Sequence, residues 1–509
     1  VLTLAALTVV FAAYAAESGV VQFGHTPARN MVQEVDKPIP SKWDASKGVN
    51  IKWSAPLGSQ SYAGPVVSGG KVFVGTNNEH GYNDKIKGDR GNVMAFDATT
   101  GEFLWQSAWP KLPSGRVNDW PLQGVCSTPA IVGDRVYYVS NRGEVVCADT
   151  EGFRDGENDG PRVDEEHTLE IDEDVVWTYD FINELDVFPH NLAAGSPLIV
   201  DGILFTITGQ GVDEGHINIP SPLGPSFIAL ELDSGELLWE SALPGDNVLH
   251  GSWSNPSYGV WDGKGQVLFP GGDGWLYAFA PKTGKLIWKF DLNPKGSVWE
   301  LGGRGTRNNV ISMATVYDGL VYIGVGQDPE HGEGPGNFWV IDPSGKTGDI
   351  TDSSVVWHRG GDEFHRTMST AAIHDGLVYI ADLSGFLYCL DAKTGEHHWT
   401  YDAFAAIWGS AFVADGKVYL GDEDGDIAVL KTGKGKDGEP ELIGEYNMGA
   451  AVYTTPVAHD GVLYVVSRNR IWAIEEGATP RPAPPKKPAK PAEPESKKPS
   501  GKGNAGEGN

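Results

Sequence analysis

The chain has 509 residues, of which 40% are hydrophobic and 21% are charged, so it is long enough for several domains or one large repeat array and is not a disordered chain. It contains 67 Gly and 17 Trp but only 5 Met, a balance typical of many short strands joined by tight turns. The net charge of 39 − 68 = −29 argues against nucleic acid and anionic lipid as partners, because both need a basic surface.

The first residues have the pattern of an export signal. Residues 1–13 are apolar and uncharged, and Ala13-Tyr14-Ala15 follows as a small-residue cleavage site. The apolar run is too short to span a bilayer comfortably, although a short N-terminal anchor is the alternative. We predict a signal peptide over 1–16, a periplasmic or secreted protein with no membrane span after its removal, and an N-terminal extension over 17–48.

The far end of the chain is predicted to be a disordered tail. Residues 478–509 are rich in Pro and Lys and contain no apolar residue larger than Ala, so they cannot form a core.

One repeated pattern fills the body of the chain. An apolar strand is followed by a Thr-Gly-type turn and then by Trp, at intervals of about 40–70 residues. The clearest copies end at Trp105, Trp239, Trp288 and Trp399, weaker copies end at Trp177 and Trp357, and Tyr446 takes the Trp place in a seventh. The last copy, over 461–477, lacks a fourth strand, and Asn50–Trp53 has the pattern of that missing strand.

The starts of the innermost strands give the number of repeats independently. They lie near Gly64-Pro65, Thr128-Pro129, Ser196-Pro197, Asn255-Pro256, Ser312-Met313, Ser369-Thr370, Ser410-Ala411 and Thr455-Pro456. Four-stranded units with this period predict an all-β fold, an eight-bladed β-propeller over 49–477 whose last blade is completed by an N-terminal strand. Such closure removes the unpaired sheet edge of an open array, and the repeated Trp side chains fill the seams between blades.

The three cysteines are predicted to remain reduced. Cys147 and Cys389 occupy the same third-strand position in blades 2 and 6, and Cys126 is expected in the first strand of blade 2. Two strand spacings, roughly 9–10 Å, separate Cys126 from Cys147, which is too far for a disulfide.

The repeat resembles the tryptophan-docking repeat of pyrroloquinoline-quinone-type eight-bladed propellers, and the resemblance covers residues 49–477. That superfamily includes quinoprotein alcohol dehydrogenases and the non-enzymatic propeller lipoprotein of the outer-membrane β-barrel assembly machinery. Loop segments such as 188–197, 209–222 and 326–336 also resemble those of exported bacterial propellers without a demonstrated cofactor. The resemblance therefore implies the fold more strongly than any one activity.

The unusual polar residues fall on one face of the predicted ring. We call this face the top; it carries the loops between second and third strands and the connections between blades. The predicted ligand-binding residues on it are Glu79, His80, Trp120, His190, Asn191, Asp213, Glu214, His216, His250, Trp253, Arg304, Arg307, Asn308, Asp328, Glu330, His331, His365, Arg366 and Trp408.

These residue types suggest an anionic ligand, since Arg pairs bind anions by forked hydrogen bonds and Trp stacks on planar or sugar rings. A transition metal or zinc is a second interpretation, because His combined with Asp and Glu suits such ions. A third is that these groups only hold the long loops together.

An acidic insertion in blade 2 resembles a calcium loop. Asp155, Glu157, Asp159 and Glu166 have nearly the spacing of oxygen ligands around Ca²⁺, with Gly160 at the turn. A solvated acidic loop is the alternative interpretation.

Two functions compete. The first is an exported, monomeric, non-catalytic propeller that binds a small anionic molecule, a glycan or a protein segment, with no cofactor. The alternative, implied by the resemblance, is a quinone-dependent dehydrogenase of alcohols or sugars, with Trp253 or Trp408 as a stacking floor. Dehydrogenases of this kind usually carry adjacent cysteines and a calcium-ligand set; the chain has no Cys-Cys pair.

Overall fold

The computed structural model describes residue 19, residues 21–35 and residues 37–479. The predicted signal peptide and nearly all of the predicted tail lie outside the described residues.

Eight antiparallel blades form a closed ring, which confirms the predicted fold. The strands of blades 1 to 4 are β3–β6 (Val66–Ser68, Lys71–Asn77, Arg90–Asp97, Phe103–Gln106), β8–β11 (Ala130–Val132, Arg135–Val139, Glu144–Asp149, Val175–Asp180), β12–β15 (Leu198–Val200, Ile203–Ile207, Phe227–Glu231, Leu237–Ser241) and β16–β19 (Ser257–Trp261, Lys264–Pro270, Trp275–Phe279, Leu286–Asp291).

Blades 5 to 8 follow the same order from the centre outward. Their strands are β20–β22 with β24 (Thr315–Tyr317, Leu320–Val325, Pro335–Ile341, Val355–His365), β25–β28 (Ala372–His374, Leu377–Ala381, Phe386–Asp391, His397–Asp402), β29–β32 (Phe412–Ala414, Lys417–Gly421, Asp426–Lys431, Leu442–Asn447) and β33–β35 (Val457–His459, Val462–Ser467, Arg470–Glu475) with β2 (Ile51–Pro56).

Short elements lie between or outside these strands. They are β1 (Val32–Gln33), β7 (Trp109–Pro110), β23 (Gly348–Asp349), the α-helix Phe181–Leu185 and the 3₁₀ turns Gly152–Arg154, Gly245–Asn247 and Pro329–His331.

The ring is closed by pairing between the two ends of the propeller. Strand β2 is antiparallel to β35, with Trp53 opposite Ala473 and Ala55 opposite Ile471. The indole nitrogen of Trp53 then donates to the carbonyl of Ala98 in blade 1 at 3.0 Å. The N-terminal strand therefore completes blade 8 and seals it against blade 1.

At four seams, a Trp on the outermost strand packs on the glycine of the next blade's turn. Gly101 has φ +72°, and a Cβ there would lie 2.5 Å from the Trp53 ring; Gly235 (φ +73°) approaches Trp177 in the same way. Only glycine combines that left-handed backbone with such a close approach. The Thr-Gly turn and the Trp of the sequence repeat are thus the two halves of one contact across each such seam.

A chain of side-chain hydrogen bonds joins the innermost strands. The N–H of Gly64 donates to the hydroxyl of Thr128 at 2.9 Å, and the N–H of Thr128 donates to the hydroxyl of Ser196 at 3.0 Å. The same step recurs from Ser196 to Asn255, Met313 to Thr370, Thr370 to Ser410 and Ser410 to Thr455. These contacts explain why small polar residues mark the strand starts.

The N-terminal extension has a role that the sequence did not reveal. Residue 19 and residues 21–33 cross the bottom of the central channel and contact the innermost strands, so we call them the strap. Backbone or side-chain hydrogen bonds join Val21 to Ile131, Pro27 to Tyr258, Ala28 to Val316, Asn30 to Ile373, Met31 to Val413 and Gln33 to Ala458. Gly19 lies against Val67, so the strap touches blades 1, 2 and 4 to 8.

Arg29 connects the strap to blades 3 and 4. Its side chain is 0% exposed, and its guanidinium donates to the carbonyls of Phe23 (2.6 Å), Pro256 (2.9 Å) and Pro197 (3.0 Å). The strap is therefore fixed at its centre by a buried cation.

The blade 2 insertion, between β10 and β11, is not confined to the bottom face of the ring. Asp172 bridges to Gln106 in blade 1, and Arg162 lies over the Trp109 ring at 5.7 Å. The insertion therefore runs up the outer side of the seam between blades 1 and 2. It buries Glu173, which accepts a hydrogen bond of 2.6 Å from the hydroxyl of Tyr138.

All three cysteines are free, as predicted. Cys126, however, precedes β8 and is not part of the first strand of blade 2.

Replacement of Arg29 by Met should destabilise the fold by about 2–4 kcal/mol, because several buried carbonyls lose charged donors. Denaturant unfolding measures the change. Lys295→Met removes an exposed cation and should stay within about 0.5 kcal/mol of the original protein; equal effects of the two substitutions would contradict a fixed strap.

Burial raises the pKa of Glu173 to about 8. Because the folded protein keeps a proton that the unfolded chain releases, this group lowers stability as pH rises from about 4 to about 8. Glu173→Gln should therefore be more stable than the original protein at pH 8, by about 1–3 kcal/mol, with a smaller difference at pH 5. Denaturant unfolding at both pH values tests this, with exposed Glu184→Gln as the control; no pH dependence of the difference would contradict it.

Candidate metal centre

Three histidines from different parts of blades 3 and 4 meet on the top face. His190 lies in the connection from blade 2 to blade 3, His216 in the loop between β13 and β14, and His250 in the connection from blade 3 to blade 4. Isolated β-bridges tie these segments together, joining Pro189 to Gln210 and Gly211 to Gly251. The propeller places these connections side by side although they are far apart in sequence.

The three rings point the same nitrogen at one another. The Nε2 atoms of His190 and His250 are 2.8 Å apart, and the Nε2 atom of His216 is 3.2 Å from each. His190 and His250 are only 2% and 0% exposed, whereas His216 is half-buried. The cluster is therefore closed from below and open on the His216 side.

The outer nitrogens fix the protonation of two rings. The Nδ1 atom of His190 is 2.8 Å from the Val212 carbonyl, and that of His250 is 2.9 Å from the Asp328 carboxylate. Both partners only accept hydrogen bonds, so both Nδ1 atoms carry hydrogen. Burial, together with His250, lowers the pKa of His190 to about 3, so its ring is neutral and its Nε2 carries a lone pair.

Asp328 holds a second histidine on its other side. Its carboxylate lies 3.0 Å from the Nδ1 atom of His331, and the Nε2 atom of His331 lies 2.9 Å from the Gly302 carbonyl. Burial opposes ionisation of Asp328, but the hydrogen bonds from His250 and His331 outweigh it and hold the pKa of Asp328 below its usual range. The hydrogen bond to Asp328 in turn raises the pKa of His331.

The local backbone explains this arrangement. Asp328 is the N-cap of the 3₁₀ turn Pro329–His331, and its carboxylate accepts from the N–H of Glu330 at 3.0 Å. Gly302 and Gly303 have positive φ, and Cβ atoms there would lie 2.8 Å from the Cβ of His216 and 2.7 Å from the Nε2 of His331. Glycines thus allow the blade 4–5 connection to pass against the Cβ of His216 and the ring of His331.

The convergent nitrogens fit a metal ion. The neutral His190 ring directs the lone pair of its Nε2 atom at the Nε2 atoms of His216 and His250, and three imidazole nitrogens aimed at one point are a donor set suited to a transition-metal ion. A tetrahedral zinc ion with Zn–N bonds of 2.0–2.1 Å needs nitrogens about 3.3 Å apart; the two distances to His216 are 3.2 Å, and the distance between His190 and His250 is shorter, at 2.8 Å. The Nδ1 contacts of His190 and His250 are the outer hydrogen bonds typical of metal-binding histidines.

Trp253 forms one wall of the cluster. Its ring centre lies 5.0 Å from that of His250, and its indole nitrogen donates to the carbonyl of His190 at 3.2 Å. Of the nineteen residues predicted for the top face, the structure brings six into this centre: His190, His216, His250, Trp253, Asp328 and His331.

Five of the other predicted residues are held in separate contacts. Arg307 pairs with Asp291 at 2.6 Å, His365 with Asp382 at 2.9 Å, and Glu214 with Arg116 at 2.8 Å. Arg116 also lies over the Trp120 ring at 5.1 Å, and the N–H of Trp120 donates to the carbonyl of Asn191. These groups order the loops around the centre.

The remaining predicted residues lie either near the three histidines or on other blades. Arg366 bonds to Asn308 at 3.1 Å and to the carbonyl of His331 at 2.7 Å, and Arg304 and Glu330 are exposed beside the centre. Asp213 caps its own loop by accepting from the N–H of Ile217. Glu79, His80 and Trp408 lie on other blades, with His80 against Tyr82 in blade 1.

A separate cavity of about 230 Å³ lies on the propeller axis above the strap. Its walls include Tyr62, Trp253, Trp408 and Tyr453, with Phe23 of the strap also in contact. Every residue that lines it in the described part of the chain is uncharged, whereas pyrroloquinoline quinone carries three carboxylates whose burial requires cationic partners. The cavity does not fit that cofactor.

The predicted calcium ligands are not brought together. Asp159 pairs with Arg135 at 3.0 Å, and Asp155 accepts from the N–H of Glu157 in a local turn. Within the described residues, no three carboxylates among Asp155, Glu157, Asp159 and Glu166 approach to 4.8 Å. The acidic insertion forms ion pairs and turns because its carboxylates face different neighbours.

Family comparison agrees with the repeat pattern. A family model described as outer membrane protein assembly factor BamB matches residues 85–155, 168–332 and 272–438, which is more than half of the chain. The chain belongs to this family. The resemblance to propellers of the pyrroloquinoline-quinone type is thereby confirmed.

Curated relatives match only in part. The quinone-dependent alcohol dehydrogenase subunit of Gluconacetobacter polyoxogenes is 24% identical over 221 residues, covering 39% of this chain and 28% of the relative. The corresponding subunit of Gluconobacter oxydans (strain 621H) is 32% identical over 123 residues, covering 24% of this chain and 14% of the relative. The matches thus span less than a third of either relative.

Two solved structures show the same fold. BamB from Moraxella catarrhalis aligns with a TM-score of 0.50 at 14% identity, covering 83% of this chain and 96% of that one. Quinohemoprotein alcohol dehydrogenase from Comamonas testosteroni aligns with a TM-score of 0.50 at 13% identity, covering 93% of this chain and 83% of that one.

No helix in the described part of the chain is long and apolar enough to cross a bilayer.

Proposed function

We propose that the protein is an exported binding propeller whose ligand site is a divalent transition-metal centre formed by His190, His216 and His250. The observation that supports the proposal is the convergence of the three Nε2 atoms within 3.2 Å. The Nδ1 atoms of His190 and His250 are held by Val212 and Asp328, which leaves their Nε2 atoms as the atoms available to a metal.

The donor atoms favour zinc. Three neutral imidazoles suit Zn²⁺ and other transition ions, whereas Ca²⁺ and Mg²⁺ prefer oxygen ligands. Structural zinc sites have four protein ligands, and a site with three keeps one position for water or another ligand. A half-buried His216 leaves that position facing the solvent side of the cluster. The proposed function is therefore ligand binding at the metal.

We further propose that the protein acts as a monomer, outside the cytoplasm, without a nucleic-acid partner. The apolar leader over 1–16 supports export, and the charge of −29 opposes binding to nucleic acid.

The proposal predicts one tightly bound Zn²⁺ per chain and its loss in His216→Asn. Asparagine tolerates the left-handed backbone at this position (φ 54°), so the fold should survive. We expect a loss of zinc affinity of at least about 100-fold, since removal of an outer hydrogen-bond partner alone typically costs 10–100-fold. Calorimetric titration of the metal-free protein with zinc measures both values.

Exposed His80→Ala is the matched control, because it removes a histidine from the same face but from another blade. It should bind zinc as the original protein does, and Asp328→Asn should lose about 10–100-fold. Absence of stoichiometric zinc binding, or equal losses in His80→Ala and His216→Asn, would contradict the proposed centre.

A further inference from the structure

The seam between blades 7 and 8 lacks the Trp that fills other seams. In blade 6, Trp399 on the outermost strand lies opposite Cys389. Gly444 takes the equivalent position in blade 7, opposite Val429. Tyr446, which the repeat pattern placed there, lies two residues further along, and a Cβ at Gly444 would be 2.5 Å from its hydroxyl. Blade 7 therefore leaves the outer part of this seam without a docking indole.

A cleft of about 600 Å³ lies at this seam, lined by the end of β32, by β35 and by the N-terminal extension. The Trp43 ring centre is 4.4 Å from that of Tyr446, and the Trp43 indole nitrogen donates to the sulfur of Met448 at 3.2 Å. Trp472 of β35 also lines the cleft, with the guanidinium of Arg470 5.4 Å from its ring centre. Aromatic rings from three separate segments thus border one cleft.

The charges that line the cleft nearly cancel. Among the described residues, its acidic lining residues are Asp44 and Glu445, and its basic one is Arg470. Asp44 is paired with Lys47 at 2.7 Å, and Glu445 accepts a hydrogen bond from the hydroxyl of Tyr401. Such a lining favours an occupant that is held by contact with the aromatic rings rather than by a strong charge.

The described residues end shortly after a strand that lines the cleft. Strand β35 ends at Glu475, the described residues end at Thr479, and residues 480–509 follow directly. A strand of this length rises about 20 Å, at about 3.3 Å per residue. Roughly six residues of polyproline II chain, at about 3.1 Å each, cover the same distance. Residues from 485 onward can therefore reach back along β35 to the cleft.

That part of the tail has the sequence of a ligand for aromatic clefts. Pro485, Pro488 and Pro491 recur at every third residue. A polyproline II helix has three residues per turn, so these prolines lie along one edge and the residues between them along the other two. Proline-rich segments with this spacing bind aromatic-lined grooves, because their extended conformation is preformed and costs little entropy on binding.

We propose that residues 485–491 of the same chain bind in this cleft as a polyproline II segment, with the three prolines against the rings of Trp43, Tyr446 and Trp472. The tail cannot form a core of its own, but here it supplies the apolar contact that a Trp supplies at other seams. Because blade 8 contains both β2 and β35, the tail reinforces the blade that closes the ring. The docked tail does not depend on the metal centre, which lies on blades 3 and 4.

Amide NMR spectra of the ¹⁵N-labelled protein with its complete tail test the docking. Lys486, Lys487, Ala489 and Lys490 lie between the prolines and each carry an amide hydrogen. In a docked tail these residues tumble with the propeller, so their sharp signals are lost. Residues 501–509 contain no proline and should keep sharp signals as the internal control. Equally sharp signals from both parts of the tail would overturn the inference.

Variants identify the contacts. Joint replacement of the three prolines (Pro485→Ala, Pro488→Ala, Pro491→Ala) changes no residue of the propeller and should restore the sharp lysine and alanine signals. Trp472→Ala should do the same if its melting curve shows a folded protein. Phe404→Ala is the matched control, since Phe404 is 88% exposed in the connection between β28 and β29, and it should leave those signals broadened.

Salt and dilution separate the proposal from other ways of holding the tail. Contact between prolines and aromatic rings persists in about 1 M salt, whereas attraction of the lysines to the acidic chain is screened within about 3 Å. Broadening that disappears in salt, or that the proline replacements leave unchanged, would overturn the proposal. Broadening that weakens on dilution would also overturn it, because the cleft would then hold the tail of a second copy.

Discussion

Closure of the ring is the constraint on which the rest of the structure depends. Strand β2 supplies the last strand of blade 8, and Trp53 on that strand packs against Gly101 of blade 1. With both ends joined, the innermost strands must meet around one axis, where hydroxyls such as Thr128 and Ser196 link neighbouring blades. The strap crosses beneath them with the buried guanidinium of Arg29 at its centre. Connections of successive blades are thereby held side by side on the top face.

The proposed metal centre is a consequence of that geometry. His190 and His250 occupy the equivalent connection in two successive blades, so their rings meet although sixty residues separate them. Their Nδ1 atoms are held by Val212 and Asp328, which directs their Nε2 atoms to the same point. A divalent ion at that point would be coordinated by the Nε2 atoms of all three histidines. The fold and the chemistry of the site are therefore linked through the order of the blades.

The sequence predicted the fold well because its determinants are local. A Thr-type turn ending in Gly, followed a few residues later by Trp, marks most of the blades, and a small polar residue before a strand marks the inner ring. The site was predicted as a face with nineteen candidate residues, and the histidines were among them. Sequence alone could not select these three, because the selection depends on backbone carbonyls such as that of Val212 and on the close passage of Gly302. The strap escaped prediction because it has no repeat and gains its role only from contacts with distant blades.

X-ray absorption at the zinc edge of the zinc-loaded protein tests the central claim most directly. The account predicts three imidazole nitrogens at 2.0–2.1 Å and one further light atom, with the outer-shell scattering of histidine rings. A spectrum with sulfur ligands, or with six oxygen ligands and no imidazole scattering, would contradict a three-histidine centre.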